Sequence, residues 1–489
     1  MLINEYLEQA ALCDIDLHDA LNPSNLDDAF TEFINWKERN PLNPQIHHVA
    51  NDALTLRHPN FRYDNASNLS LGIAEKNLEK LGMISDEATH AEGLTLTERS
   101  LLNLVVEDYT NKNQILYQIW LARRDPEHQD DYTDAIGNAF AQYCSYHPDD
   151  WVAQALLKEQ YDAIKAENLT LLSDQQMYRD LQKQLEAILP QLDQIKDTTK
   201  FYFYPQIETI TQFKQIFEQF FAKIFAYLPD QAEFTAAEVC ELLNNILVHE
   251  FPQSSFRAVV DENIKVFFND QIKRIIHVPA KRAKGPYTYD VVKALILAHE
   301  FCTHVLRSIF YENCGITAFY RGLPNYGDFD EGIASSAQHA IDGTPVIRGI
   351  EHYVNAWLAG CREKDFRQIY DIRLALNFLA EVSPNEDPAA RQKRLQRCQS
   401  DAFNQARRAF RGTSTVPVFL DLSYFKGTNA VWRFIEENIE SPQQLMETLA
   451  FSGKTNPLLE THCELLKAMR DGKLGTMPTF PDYGNNLTF

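Results

Sequence analysis

Residues 294–310 read ALILAHEFCTHVLRSIF. His299, Glu300 and His304 fall inside this stretch, and three residues separate Glu300 from the second histidine. In the zinc-peptidase pattern H-E-x-x-H the two histidines are four residues apart, so they share one helix face and reach one ion. Five residues apart on a regular α-helix, they point about 140° away from each other. The spacing therefore serves a single metal only if the helix widens. A π-bulge absorbs one residue and brings positions i and i+5 back into line, and such bulges gather at functional sites. Cys302 or Thr303 is the expected bulged residue, and Cys302 is not expected to be a ligand. The competing reading is a buried helix with two unrelated histidines. In a chain with 14 histidines a chance match is expected roughly 0.03 times, which favours the metal.

A catalytic zinc takes three protein ligands and leaves a place for water. GDFDEGIASSAQHA follows at 327–340. Glu331 comes 331 − 304 = 27 residues after His304, at the opening of a helix-like segment. Gly332 beside it would let that segment approach the metal. His339 is the rival third ligand. It lies 339 − 331 = 8 residues past Glu331, roughly 12 Å along a helix and about 80° around it, so the two do not reach one ion. Glu331 is preferred, and His339 reads as a packed or solvated histidine. Glu300, beside the first ligand, then becomes the general base, because zinc lowers the pKa of its water to about 7. One Zn2+ per chain is expected. VHEFP at 248–252 also holds a His-Glu pair, but no second histidine follows at helical distance, so it reads as a decoy.

The rest of the chain suits such an enzyme. It has 489 residues, 45% apolar and 11% aromatic, which describes an ordered protein with a large core. A net charge of −22 argues against general nucleic-acid or anionic-membrane binding. Eight cysteines without a C-x-x-C pair read as reduced thiols. The start, MLINEYLEQAALCDIDLHDALNPS, is acidic and amphipathic and lacks a secretory h-region. No apolar run of ~18 residues predicts a membrane span. A cytoplasmic protein is the expectation.

Three sequential parts are predicted. Residues 1–50 form an acidic helical extension broken at Pro23 and at NPLNPQ, 40–45. Residues 51–250 are a helical part, with packing stripes at Leu181, Leu185, Ile188, Leu192 and Ile195 and along TQFKQIFEQFFAKIFAYL, 211–228. Residues 251–489 are the metallopeptidase core. FRAVV, IKVFFND and RIIHVPA, within 256–280, read as two or three strands with Asn269-Asp270 as a turn. A long helix follows, capped by Thr288 and stopped near Gly315. Beyond 350 the pattern is helical. Arg391, Lys393, Arg394, Arg397, Arg407, Arg408 and Arg411 read as a solvated helix face. The fold class is α+β, mostly helical, with a small sheet beside the metal helix.

HEFCTHVLR and DEGIA carry a family resemblance. The chain resembles the tyrosine/glutamate carboxypeptidase family, which holds the microtubule-associated tyrosine carboxypeptidases and bacterial QEGLA-motif proteins. That family has HEIGTH followed by LR, and a later EGLA. The likeness extends from NFRYDN near 60, through NKNQILYQIWLARRDP, to DLSYFKGTNAVWRFI near 434. It implies a zincin-like fold, His299, His304 and Glu331 as zinc ligands, Glu300 as acid/base, and Arg307 as the arginine after the helix motif. Phe301-Cys302 stand where the family has Ile-Gly, Asp330 where it has Gln, and Ile333 where it has Leu.

The expected activity is zinc-dependent removal of a C-terminal Tyr, Phe or Glu from a protein or peptide. The alternatives are a zinc endopeptidase and a binding protein that retains the metal site. A carboxypeptidase must hold a terminal carboxylate, which suits Lys or Arg. Lys281, Arg282 and Arg307 are candidates, with Arg433 further off, and Tyr326 and Tyr424 are possible oxyanion donors. An acidic tubulin-like tail would find only the 391–411 cluster and the 272–284 loop (Lys273, Arg274, Lys281, Arg282, Lys284) to attract it.

Overall fold

The β-branched and aromatic residues after Phe256 form a sheet, as their pattern predicts. The computed structural model describes residues 2–478 apart from 16, 40–58, 60, 63–70, 125–134, 141–142, 144–147, 190–201, 272, 283–284, 344–346 and 412–416. Strand β1, Glu233–Phe234, pairs antiparallel with the late strand β5, Tyr287–Thr288. Between them β2 (Arg257–Asp261), β3 (Phe268–Asp270) and β4 (Ile275–Pro279) make a three-stranded sheet in the order β2-β4-β3. β2 runs parallel to β4, and β3 antiparallel to it, which leaves β3 at the edge. Asn269 and Asp270 are strand residues, paired with Ile276 and Ile275. The turn expected at these two residues falls just after them. There the Asp270 carboxylate accepts from the Lys273 N–H at 2.8 Å, and Arg274 takes φ 57°.

Everything else described is mostly helical. Pro23 separates helices Leu17–Ala20 and Leu26–Arg39, whereas NPLNPQ lies outside the described residues. Leu181, Leu185 and Ile188 face inward from the helix Leu172–Ile188; Leu192 and Ile195 lie outside the described residues. The 211–228 aromatic stripe is split at Phe221 between helices Ile207–Phe220 and Ala222–Phe225.

Two apolar cores result. One joins Ile3 and Leu7 of the first helix to Phe213, Phe217, Leu243, Phe301 and Trp432. The other joins Ile15 and Phe33 to Leu156, Trp357, Phe366 and Phe403. Residues before 40 thus contribute to both cores. Nor is the 391–411 cluster a solvated face. In the helix Pro388–Ala409, Arg391 pairs with Asp174, Arg394 with Glu386 at 2.6 Å and Arg397 with Glu381, while Arg411 beyond it pairs with Asp421 at 3.1 Å. Glu381, Glu386 and Asp421 from the flanking segments, and Asp174 from far along the chain, pair with arginines that the sequence shows as free. Among the described residues no helix is long and apolar enough to cross a membrane.

Candidate metal centre

The helix that begins this site is a π-helix over its whole length, Val291–Val305. Thr288 Oγ1 accepts from the Val291 N–H at 3.4 Å at its start. At its end the Leu306 N–H reaches the Phe301 carbonyl, an i→i+5 bond. Regular α-helix resumes over Leu306–Tyr311, and Gly315 takes φ 79° beyond it. The widening expected at Cys302 or Thr303 is thus spread over fifteen residues. Val292, Ile296, Leu297, Phe301 and Val305 are all buried, so packing around the helix, more than local preference, sustains the wide register.

The consequence is the one that the spacing demands. The His299 and His304 rings lie 5.2 Å apart, centroid to centroid. Ligand atoms of His299, Glu300 and His304 all fall within 4.8 Å of one another. Glu331 stands across from them, its Oε1 3.8 Å from His304 Nε2. It lies inside the helix Tyr326–Asp342, not at its opening. Gly332 serves a different contact from the one expected. A Cβ there would come within 2.4 Å of the Gly427 carbonyl oxygen, and a Cβ on Gly427 within 1.8 Å of the Asp328 carbonyl oxygen. The paired glycines let helix Leu422–Asn438 cross the Glu331 helix at backbone contact, which fixes Glu331 from behind.

Behind His304 lies a buried ionic cluster centred on Asp330, which sequence reasoning passed over. Asp330 Oδ2 is 2.6 Å from His304 Nδ1 and 2.6 Å from Lys454 Nζ, and Oδ1 accepts from Arg307. Burial would raise the Asp330 carboxyl, but Lys454, His304 and Arg307 hold it well below the usual carboxylate range. By accepting from Nδ1–H, the carboxylate orients the imidazole with Nε2 toward Glu331. Arg307 is spent within this cluster. Its side chain is 0% exposed, and it also donates to Ser452 Oγ at 3.1 Å and to the Thr455 carbonyl at 2.7 Å. The only local hint of Asp330 was its place beside Glu331; Lys454 is 124 residues away along the chain.

On the other flank, Asn269 of β3 donates through Nδ2 to Glu300 Oε2 at 3.0 Å. Glu300 Oε1 lies 4.0 Å from His299 Nε2. Burial pushes Glu300 up to about 7, Glu331 adding to the effect and His304, Asn269 and Lys454 opposing it. Burial, then the charges of His304, Arg348 and His339, keep His299 well below its ordinary value, so it is a neutral donor. Burial opposes the charge on His304, but Asp330 and Glu331 outweigh it and raise its proton affinity.

These groups open into a cleft of about 910 Å³. Val266, Phe267, Phe268 and Leu295 give it an apolar wall; Arg348, His352, Arg408 and Tyr424 give it a polar, cationic one. Arg282, Tyr326 and Tyr424 line the cleft as expected of substrate contacts, while exposed Lys281 and Arg433 do not. Arg433 instead covers the Phe203 ring at 5.8 Å. His339 is no ligand: it is 3% exposed, and its Nε2 accepts from Arg348 Nε at 3.1 Å. His249 of VHEFP stacks on Tyr227 at 6.3 Å.

The donor set suits a divalent metal of the zinc type, with two imidazoles and a carboxylate converging. The buried Nδ1 of His299 has no hydrogen-bond partner, the kind of polar atom that calls for an explanation in a site such as this. Cys302 is buried, which pushes its thiol well above its ordinary value and removes it from the donors. No protein-family model, curated protein or solved structure matches the chain.

Proposed function

We propose that this chain is a zinc-dependent carboxypeptidase with a zincin-like core, releasing the C-terminal residue of a peptide or protein. The observation that carries the reading is the i→i+5 helix, which gives two histidines of H-E-x-x-x-H one shared target, with Glu300 beside it and Glu331 across it. The resemblance in HEFCTHVLR and DEGIA supports the same assignment. His299, His304 and Glu331 would hold the ion. Zinc, when bound, supplies a Lewis acid that polarises a carbonyl and acidifies water.

The chain's own groups do the rest. Asp330, braced by Arg307 and Lys454, holds His304 in one orientation. Asn269 occupies Glu300 Oε2 and leaves Oε1 on the His299 side. Glu300 takes a proton from the attacking water as the new C–O bond forms. It returns that proton to the amide nitrogen as the C–N bond breaks. Burial, which raises its proton affinity, suits a group that must both accept and release the proton. The unpaired edge of β3 offers backbone donors and acceptors to an extended peptide. Burial keeps Tyr326 protonated, and the charge of Glu331, then burial, keeps Tyr424 protonated, so both can donate to a developing oxyanion.

The test is mass spectrometry of matched peptides ending in Tyr, Phe or Glu, as free acids and as amides, with Glu300→Gln as control. Loss of one residue from the acids alone is the expected result. Internal fragments would establish a zinc endopeptidase instead. Zinc binding without any cleavage would favour a binding protein that keeps the site.

A further inference from the structure

Arg348 is the cleft residue whose arrangement the catalytic groups leave unexplained. It lines the cleft together with His299 and Glu331, and its charge acts on both. Its Nε is spent on His339, and among the described residues no carboxylate pairs with its guanidinium. The other arginines nearby have acids: Arg307 has Asp330, Arg411 has Asp421, and Arg408 has Asp421 at 3.6 Å. Arg282 also lines the cleft, but its Nη1 donates to the Pro286 carbonyl at 2.8 Å and its guanidinium covers the Tyr287 ring. With Nε engaged, Arg348 keeps its end-on pair of nitrogens, the face that grips a carboxylate through two parallel bonds.

We propose that Arg348, held from behind by His339, anchors a carboxylate on the departing residue of the substrate. This rests on the peptidase reading and adds the group that fixes which end of the peptide is cut.

Three features support the assignment. First, His339 is a support fit for this purpose. It sits on the Glu331 helix, burial and the charge of Arg348 push it down to about 4, and a neutral ring accepts at Nε2. Second, the backbone beside Arg348 is pinned. Gly349 has φ 79°, and a Cβ on it would lie 2.6 Å from the Tyr424 Cβ, so Arg348 and Tyr424 belong to one wall. Third, Asn269 of the edge strand donates to Glu300, and Arg348 lines the same cleft, its charge felt at both His299 and Glu331. A peptide laid along β3 would therefore lie in the cleft that holds the arginine.

The carboxylate has two possible sources, the chain terminus and the side chain of a terminal Glu. Calorimetry with zinc-loaded Glu300→Gln protein separates them without turnover. The probes are one peptide sequence ending in Tyr acid, Tyr amide, Glu amide or Gln amide. If the terminus is gripped, Tyr acid binds roughly 10- to 100-fold tighter than Tyr amide, the range of a charge-assisted contact. If the side chain is gripped, Glu amide outbinds Gln amide instead. In either case Arg348→Gln abolishes the preference, and Arg348→Lys restores part of it. His339→Asn weakens the preference in calorimetry, and in the otherwise wild-type enzyme it raises KM at near-constant kcat. A preference that survives Arg348→Gln overturns the inference, and so does absence of binding by all four peptides. Hydrolysis by the wild type answers the other question separately: carboxylate-selective binding without hydrolysis keeps the anchor and removes the peptidase, and hydrolysis indifferent to Arg348 does the reverse.

Discussion

His304 Nδ1 lies 2.6 Å from Asp330 Oδ2, on the side of the ring opposite the nitrogen that faces Glu331. One carboxylate thereby orients the His304 imidazole and pairs with both Arg307 and Lys454, each 0% exposed. Asp330→Asn keeps the shape and removes the charge. Zinc affinity should fall about 10- to 100-fold, and stability by about 3–5 kcal/mol, because two buried cations lose their partner. Chelator competition and denaturant titration measure the two effects. Unchanged zinc affinity would detach Asp330 from the site.

The metal itself is tested by composition. The purified chain should hold one zinc, and His304→Ala or Glu331→Ala should lose most of it, since two remaining protein ligands hold zinc poorly. Elemental analysis decides. Full occupancy in both variants would refute this ligand set.

Glu300→Gln should retain zinc and fold while losing hydrolysis by roughly 10²-fold or more, the usual contribution of a positioned base. The amide still meets Asn269 but cannot take the proton. Residual activity close to wild type, measured by release of the terminal residue, would put the base elsewhere.

The helix crossing at the paired glycines makes a stability prediction with an internal control. Gly427→Ala drives a methyl into the Asp328 carbonyl, since its Cβ would sit 1.8 Å away. The cost should be about 1–3 kcal/mol or more, with weaker zinc retention because Asp328 and Glu331 share a helix. Gly82 lies in helix Leu71–His90, and a methyl added to it would meet nothing within 4 Å. Gly82→Ala should raise stability by about 0.5–1 kcal/mol. Thermal unfolding of the two variants should therefore shift in opposite directions.

How much of this could be read from residues alone varied with range. The five-residue histidine spacing demanded an i→i+5 helix because angle per residue is a local property. The strands showed themselves through β-branched runs for the same reason. Arg307 looks available from sequence because it follows the histidine motif, whereas its partners Ser452 and Thr455 come from far along the chain. Asp330 escaped because its weight comes from Lys454, which no local pattern connects to it. Arg348 follows no periodic pattern at all. Its interest comes from lacking an acid among the described residues, which can be seen only once neighbours are in place.

The length of the π-helix bears on how such a site can be inherited. A π-helix is in effect an α-helix that has accommodated additional residues without forming a loop. A single-codon insertion between Glu300 and His304 of an H-E-x-x-H helix is thus absorbed as a change of bore. Downstream of Val305 the ordinary register resumes, so Arg307 still meets Asp330 and nothing beyond the helix need be rebuilt. Side-chain convergence and consensus spelling can therefore drift apart by one letter.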